Sequence, residues 1–314
     1  MLVFYSLFSP PSGLSVLTIL GFAFLLGLLH GITPDEHTWP ITFSYSVGSY
    51  STRGGMKSGF MFSLGFIIQR GILTTLGFLG LAAIYQTYDL NGPVYLLVGL
   101  VMLVAGSYVL KGRYLHLPFD ALLGRKHKLA QSNNPPSQKT ELKPIPLKMA
   151  VVQGFIAGFG FGAYATILVF TLAPQVPSAI YAPLPGFAFG IGTMCMQIIL
   201  GAVFANIMRL KHLTVNQIKY IGRLTAGRAL YYGGIAFAVI GVLIAIFPVI
   251  DSAAIKTGIP IPNLDAVGVS TGLVIIVVGV IGLGSIYQAF RQITREKQTA
   301  EHKNNHSLKH ISFD

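Results

Sequence analysis

Seven long apolar runs constrain this chain more than any other feature. They lie at about 14–32, 58–82, 92–110, 149–172, 184–207, 228–249 and 267–287. Each is roughly 18 to 25 residues, the length of helix that crosses a hydrocarbon core of about 30 Å. The runs are continuous and not alternating, so they read as helices and not as barrel strands. Only 10% of the residues are charged and 53% are hydrophobic, against about a quarter charged in a soluble domain. A water-soluble fold of this size is excluded. The expectation is an all-α polytopic membrane protein with seven transmembrane helices.

The net charge of +12 points to topology and not to nucleic acid, because the basic residues fall in alternate loops. The 111–148 segment carries eight Lys and Arg, the 208–228 segment five, the tail five, and the 33–57 segment Arg53 and Lys57. The 83–91 and 173–183 segments carry none, and 250–266 only Lys256. This alternation predicts a multi-pass protein of the plasma membrane, with the N-terminus outside and the C-terminus cytoplasmic. The first residues, MLVFYSLFSPPSG, lack a basic n-region and a small-residue cleavage site, so they read as mature chain.

Five parts are expected: a three-helix unit (1–110), a cytoplasmic basic loop (111–148), a second three-helix unit (149–249), a seventh helix (250–290) and a cytoplasmic tail (291–314). The loop centre, AQSNNPPSQKTELKPIP, has a disorder-prone composition. The tail spaces His302, His306 and His310 by four and reads as a solvated segment. Gly59–Gly65 and Gly186–Gly192 share the pattern GFxFxxG, and the same register sets Arg70 against Gln197. The two spans run in opposite senses by the charge count. The first six helices therefore form two inverted three-helix repeats, the plan of transporters that bind substrate between their halves. GFAFLLG at 21–27 also fits the pattern.

The chemistry concentrates in LLHGITPDEHTWP, residues 28–40. Gly31 can close a helix, and Thr33-Pro34-Asp35-Glu36 reads as a capping box with proline at the first position of a new one. His30, Asp35, Glu36 and His37 meet at this break. Two readings of them compete. Histidine and carboxylate are ligands for first-row divalent metals, and ionisable groups within a membrane mark function. The same residues can also serve only a helix terminus, with Glu36 capping and Asp35 facing the dipole. Trp39 is expected as an interfacial anchor.

This stretch, followed by GFMFSLGF, resembles the paired motifs of the nickel/cobalt transporter family. Related groups are the urease-accessory-type permeases and the sulfite/sulfonate exporters of the lysine-exporter-like superfamily. His30 and Asp35 stand in register with the first family motif; Glu36 follows, and His37 comes one place late. Phe66 and Gly162 stand where the family has a His and an Asp. The resemblance implies a membrane transporter of divalent metal ions.

Arg70 lies about 20 Å of helix rise beyond Lys57. It fits a charge partner of Asp35 or Glu36, or an anchor for a small anion with Gln69 and Gln197 as donors. Tyr164 and Thr166 can line a path, and Gly158, Gly160 and Gly162 allow close helix approach. Cys195 is the only cysteine, which excludes an internal disulfide and a CxxC relay. Met194 and Met196 beside it point about 100° from it on a helix, so the trio reads as packing. No HExxH, nucleophile–base pair or ATP-binding motif occurs, so no enzyme and no cofactor are expected. The expected function is secondary transport of a divalent transition metal such as nickel or cobalt. His30, Asp35 and His37 would be metal ligands, and Glu36, Arg70 and Gln197 complete the ion-binding set. The alternative is export of a small sulfur-containing anion. The expected partners are the lipid bilayer and the transported ion.

Overall fold

The computed structural model describes residues 7–82, 84, 87, 88, 90–111, 145–207, 213–295 and 298. The centre of the basic loop and the tail histidines lie outside the described residues. Among the described residues the main helices are α1 Val16–Ile32, α2 Trp39–Val47, α3 Thr52–Phe78, α4 Asn91–Lys111, α5 Lys148–Ala157, α6 Ala163–Gln175, α7 Leu184–Asn206, α8 Val215–Ile246 and α9 Val269–Arg295. The two strands, β1 Ala254–Lys256 and β2 Ala266–Gly268, form one antiparallel hairpin ahead of α9. Helices α3, α4, α7, α8 and α9 are long and apolar enough to cross a membrane. This is an all-α membrane architecture.

Local chemistry explains the helix ends. Ser15 and Ser51 cap α1 and α3 by accepting from Thr18 N–H and Gly54 N–H. Three expectations need correction. The 149–172 run is not one helix; it breaks after Ala157 and restarts at Ala163. The new helix after α1 starts at Trp39 and not at Pro34, so Thr33 to Glu36 is no capping box. Helix α8 begins at Val215 and not at 228. There a true capping box pairs Thr214 and Gln217, and the basic residues Lys219, Arg223 and Arg228 ride on the helix.

Helix pairs meet along glycine seams. On α4, Gly92, Gly99 and Gly106 recur every seven residues, as do Gly227, Gly234 and Gly241 on α8. Gly92 faces Gly241, Gly99 faces Gly234 and Gly106 faces Tyr231, so the two helices run antiparallel. Helices α3 and α7 are also antiparallel, with Gly55 against Gly201 and Gly71 against Phe187. Helix α1 runs parallel to α7, and α5 parallel to α3. Where lipid replaces water there is little hydrophobic drive between helices, and close backbone approach supplies the cohesion.

Helix α2 is the interior element. Pro40 to Val47 are all buried, among α3, α7, α8 and α9. Trp39 heads this helix, is half-buried, and meets Phe204 edge-on at 5.8 Å. Polar links fix α2: Thr42 donates to Gln197 Oε1 at 2.6 Å, and Ser58 donates to the Tyr45 carbonyl at 3.2 Å.

Candidate functional site

The first break follows from Pro34. A proline disfavours helix at the residue before it, and Thr33 is extended (ψ 145°). Thr33 closes α1 from its C-terminal end, its N–H and hydroxyl both donating to the Leu29 carbonyl at 3.0 and 2.8 Å. Asp35 then makes a tight turn, its Oδ1 accepting from His37 N–H at 3.0 Å and its carbonyl from Trp39 N–H at 2.9 Å. Glycines make the second break, between Ala157 and Ala163. Gly160 lies against the His37 ring: a Cβ there would stand 2.6 Å from Nδ1, so any larger residue would have to displace the ring. The two breaks therefore meet.

His30, Asp35, Glu36, His37, Arg70 and Gln197 are all buried. Asp35, Glu36 and His37 each bring one ligand atom to within 4.8 Å of the others. Glu36 Oε1 lies 2.9 Å from His37 Nδ1 and accepts from the Tyr95 hydroxyl at 2.7 Å. Its Oε2 accepts from Ser270. A carboxylate on Nδ1 keeps a proton there, so in the neutral ring the lone pair falls on Nε2. That Nε2 is buried and has no hydrogen-bond partner. His30 repeats the theme: Nδ1 is 3.7 Å from Asp35 Oδ2, and Nε2 is buried and unpartnered. Its ring lies between Phe66, Phe189 and Tyr164, with centroids 5.3–5.7 Å away.

Arg70 and Gln197 brace the breaks. Arg70 Nη2 donates to the Gly160 carbonyl at 3.3 Å, and its guanidinium lies over Phe66 and Phe189 at 4.6 and 5.4 Å. It is also close enough to act electrostatically on His30 and Asp35. Gln197 Nε2 donates to the Gly31 carbonyl at 3.3 Å. Gln69 is buried beside Gly158, and neither of its amide atoms has a hydrogen-bond partner. Met196 packs on Gly31.

Sequence reasoning missed Tyr95, Ser270 and the second break. Tyr95 and Ser270 come from remote helices with no local motif around them. The second break did leave a signal, since GFGFGAY at 158–164 puts three glycines inside an apolar run. Tyr95→Phe removes one donor from Glu36, worth about 1.5–3 kcal/mol for a bond to a charged group. If the Asp35–Glu36–His37 cluster holds a metal ion, the expected outcome is a folded protein with roughly tenfold or more weaker metal binding, measured by titration calorimetry.

No family model, no curated protein and no solved structure matches this chain.

Proposed function

We propose that the protein is a secondary transporter of the plasma membrane that moves a divalent transition-metal ion, such as nickel or cobalt, through the crossing of the two helix breaks. One observation carries this reading. Two imidazole Nε2 atoms are buried and unpartnered beside a buried Asp35–Glu36–His37 cluster. A buried polar atom without a partner is costly, and a neutral imidazole beside carboxylates is a ligand set for such an ion. The likeness of LLHGITPDEH to the nickel/cobalt transporter motif favours the same substrate class.

The transport plan we infer has seven crossing segments, with α1 followed by α2 as the first and α5 followed by α6 as the fourth. Two inverted repeats make up the first six. The step of 127 residues from Gly59 to Gly186 also carries Gly27 to Gly154, Gly31 to Gly158, Gly65 to Gly192 and Arg70 to Gln197. The contacts obey the same step. Gly27 abuts Phe189 as Gly154 abuts Phe62; Gly31 abuts Met196 as Gly158 abuts Gln69; Gly59 abuts Gln197 as Gly186 abuts Arg70. The first break falls on the second under this step, within a few residues. Interrupted helices at matching positions of two halves are the usual seat of a transported ion. The charge count orients the bundle with its N-terminus outside.

A sulfur-containing anion is the second reading, favoured by the buried Arg70 guanidinium at the second break. A host that expresses the protein separates the two. The metal reading expects altered nickel or cobalt tolerance, lost in the Asp35→Ala variant, with sulfite tolerance unchanged. A shift in sulfite tolerance alone, lost in Arg70→Ala, would reverse the choice.

A further inference from the structure

The connection between α8 and α9 reaches the site through its hairpin. The Pro262 carbonyl accepts from the Tyr164 hydroxyl at 3.1 Å, beside the second break. Asn263 Nδ2 donates to Thr33 Oγ1 at 3.4 Å, in the first break. Ser270, at the head of α9, donates to Glu36 Oε2. One short segment thus touches both breaks and the site's carboxylate. Neither three-helix half supplies it.

We propose that the hairpin 254–268 is a gate over the site, and that Ser270 is a positioning residue coupling the gate to the Glu36–His37 pair. The proposal rests on the transport reading. Residues 252–260 are exposed, and the hairpin ladder is three residue pairs long. Few buried contacts hold the segment, which puts it at the low-stability end of the fold, where lids are drawn from. Gly258 turns the hairpin at φ +80°, with open space where a Cβ would stand. Asn263 holds a left-handed φ of 65° to make its inward contact, a conformation Asn tolerates and most residues avoid. When the hairpin lifts, Pro262 and Asn263 release the two breaks together. Ser270 then leaves Glu36, which loses one of its three donors, and the His37 ring loses part of its brace.

Two measurements test this in a Cys195→Ser background, which removes the chain's only cysteine. Thr33→Cys with Asn263→Cys is joined by a short bifunctional thiosulfonate reversible by dithiothreitol. The proposal expects nickel flux in proteoliposomes to stop on cross-linking and return on reduction. Cross-linked protein that transports like the reduced form would overturn it. Separately, Thr33→Cys alone is labelled with a membrane-impermeant thiol reagent. Labelling is expected at least tenfold faster when residues 257–265 are replaced by two glycines; equal rates would overturn the gate. If the parent protein moves no nickel, the transport reading fails, and the labelling comparison alone decides the gate. For the coupling, Ser270→Ala is expected to weaken nickel binding about tenfold, the lower end for a residue that orients a metal ligand. Ser270→Thr, which keeps the hydroxyl, is expected to restore it. Binding by Ser270→Ala equal to that of the parent, or a Thr variant as weak as the Ala variant, would remove Ser270 from the mechanism.

Discussion

His37→Ala is expected to abolish nickel transport and to weaken nickel binding by more than a hundredfold, while the protein still folds. The expectation follows from the division of labour in the Glu36–His37 pair. Glu36 is held by three donors: His37 Nδ1, the Tyr95 hydroxyl and the Ser270 hydroxyl. It holds the ring, and the ring offers Nε2. On the proposed metal reading, removing the ring removes a ligand. Glu36→Gln keeps one acceptor oxygen, for the side that faces Tyr95 and His37 Nδ1 or for the side that faces Ser270, and turns an amide N–H to the other, so the hold on the ring weakens without being lost. Its expected cost is the smaller 10- to 100-fold of a residue that orients a ligand. Both variants keep the Thr42–Gln197 bond and the buried face of α2, so α2 stays docked. Titration calorimetry in detergent measures the affinities, and a thermal melt checks the fold. Near-parental binding by His37→Ala, or a larger loss in Glu36→Gln than in His37→Ala, would contradict these roles.

The second large effect concerns the seams. Gly27→Val and Gly154→Val should each destabilise the protein by about 1–3 kcal/mol or more, the usual cost of overpacking a tight interior. A Cβ at Gly27 would enter the Phe189 backbone, and one at Gly154 the Phe62 backbone. Backbone cannot rotate aside as a side chain can. Gly21, on the same helix as Gly27, has nothing within 4 Å of its would-be Cβ. Gly21→Val is therefore the control and should melt close to the parent. The inverted-repeat reading adds a condition: the two seam variants should fall by similar amounts, because each breaks the same contact in one half. Thermal unfolding in detergent gives the comparison. A Gly27→Val protein as stable as Gly21→Val would remove the seam from the account.

The long helices were legible because apolar length is a one-dimensional property. Helices α3, α4, α7 and α9 fall close to the runs that predict them. The start of α8 was hidden by its own charge: Lys219, Arg223 and Arg228 read as loop, although Thr214 and Gln217 spell a capping box. The first break was legible in GITPDEH, but its mechanism was not. Thr33 looks equally suited to open a helix or to close one, and the extended ψ that Pro34 imposes decides for closure. The second break lacks proline and charge, and so hid within hydrophobicity. The site's core was readable because Asp35, Glu36 and His37 are neighbours in sequence. Its remaining parts were not, because Tyr95, Ser270 and Asn263 arrive from far along the chain and reach the site only through folding.

Substrate flux through the crossed breaks is the central claim, and counterflow in proteoliposomes tests it most directly. Vesicles loaded with nickel and holding the purified protein are placed in trace radioactive nickel. The account predicts accumulation by the parent, none by His37→Ala, and no accumulation of labelled sulfite in the matching experiment. Accumulation of sulfite without nickel, or equal nickel accumulation by the parent and His37→Ala, would contradict it.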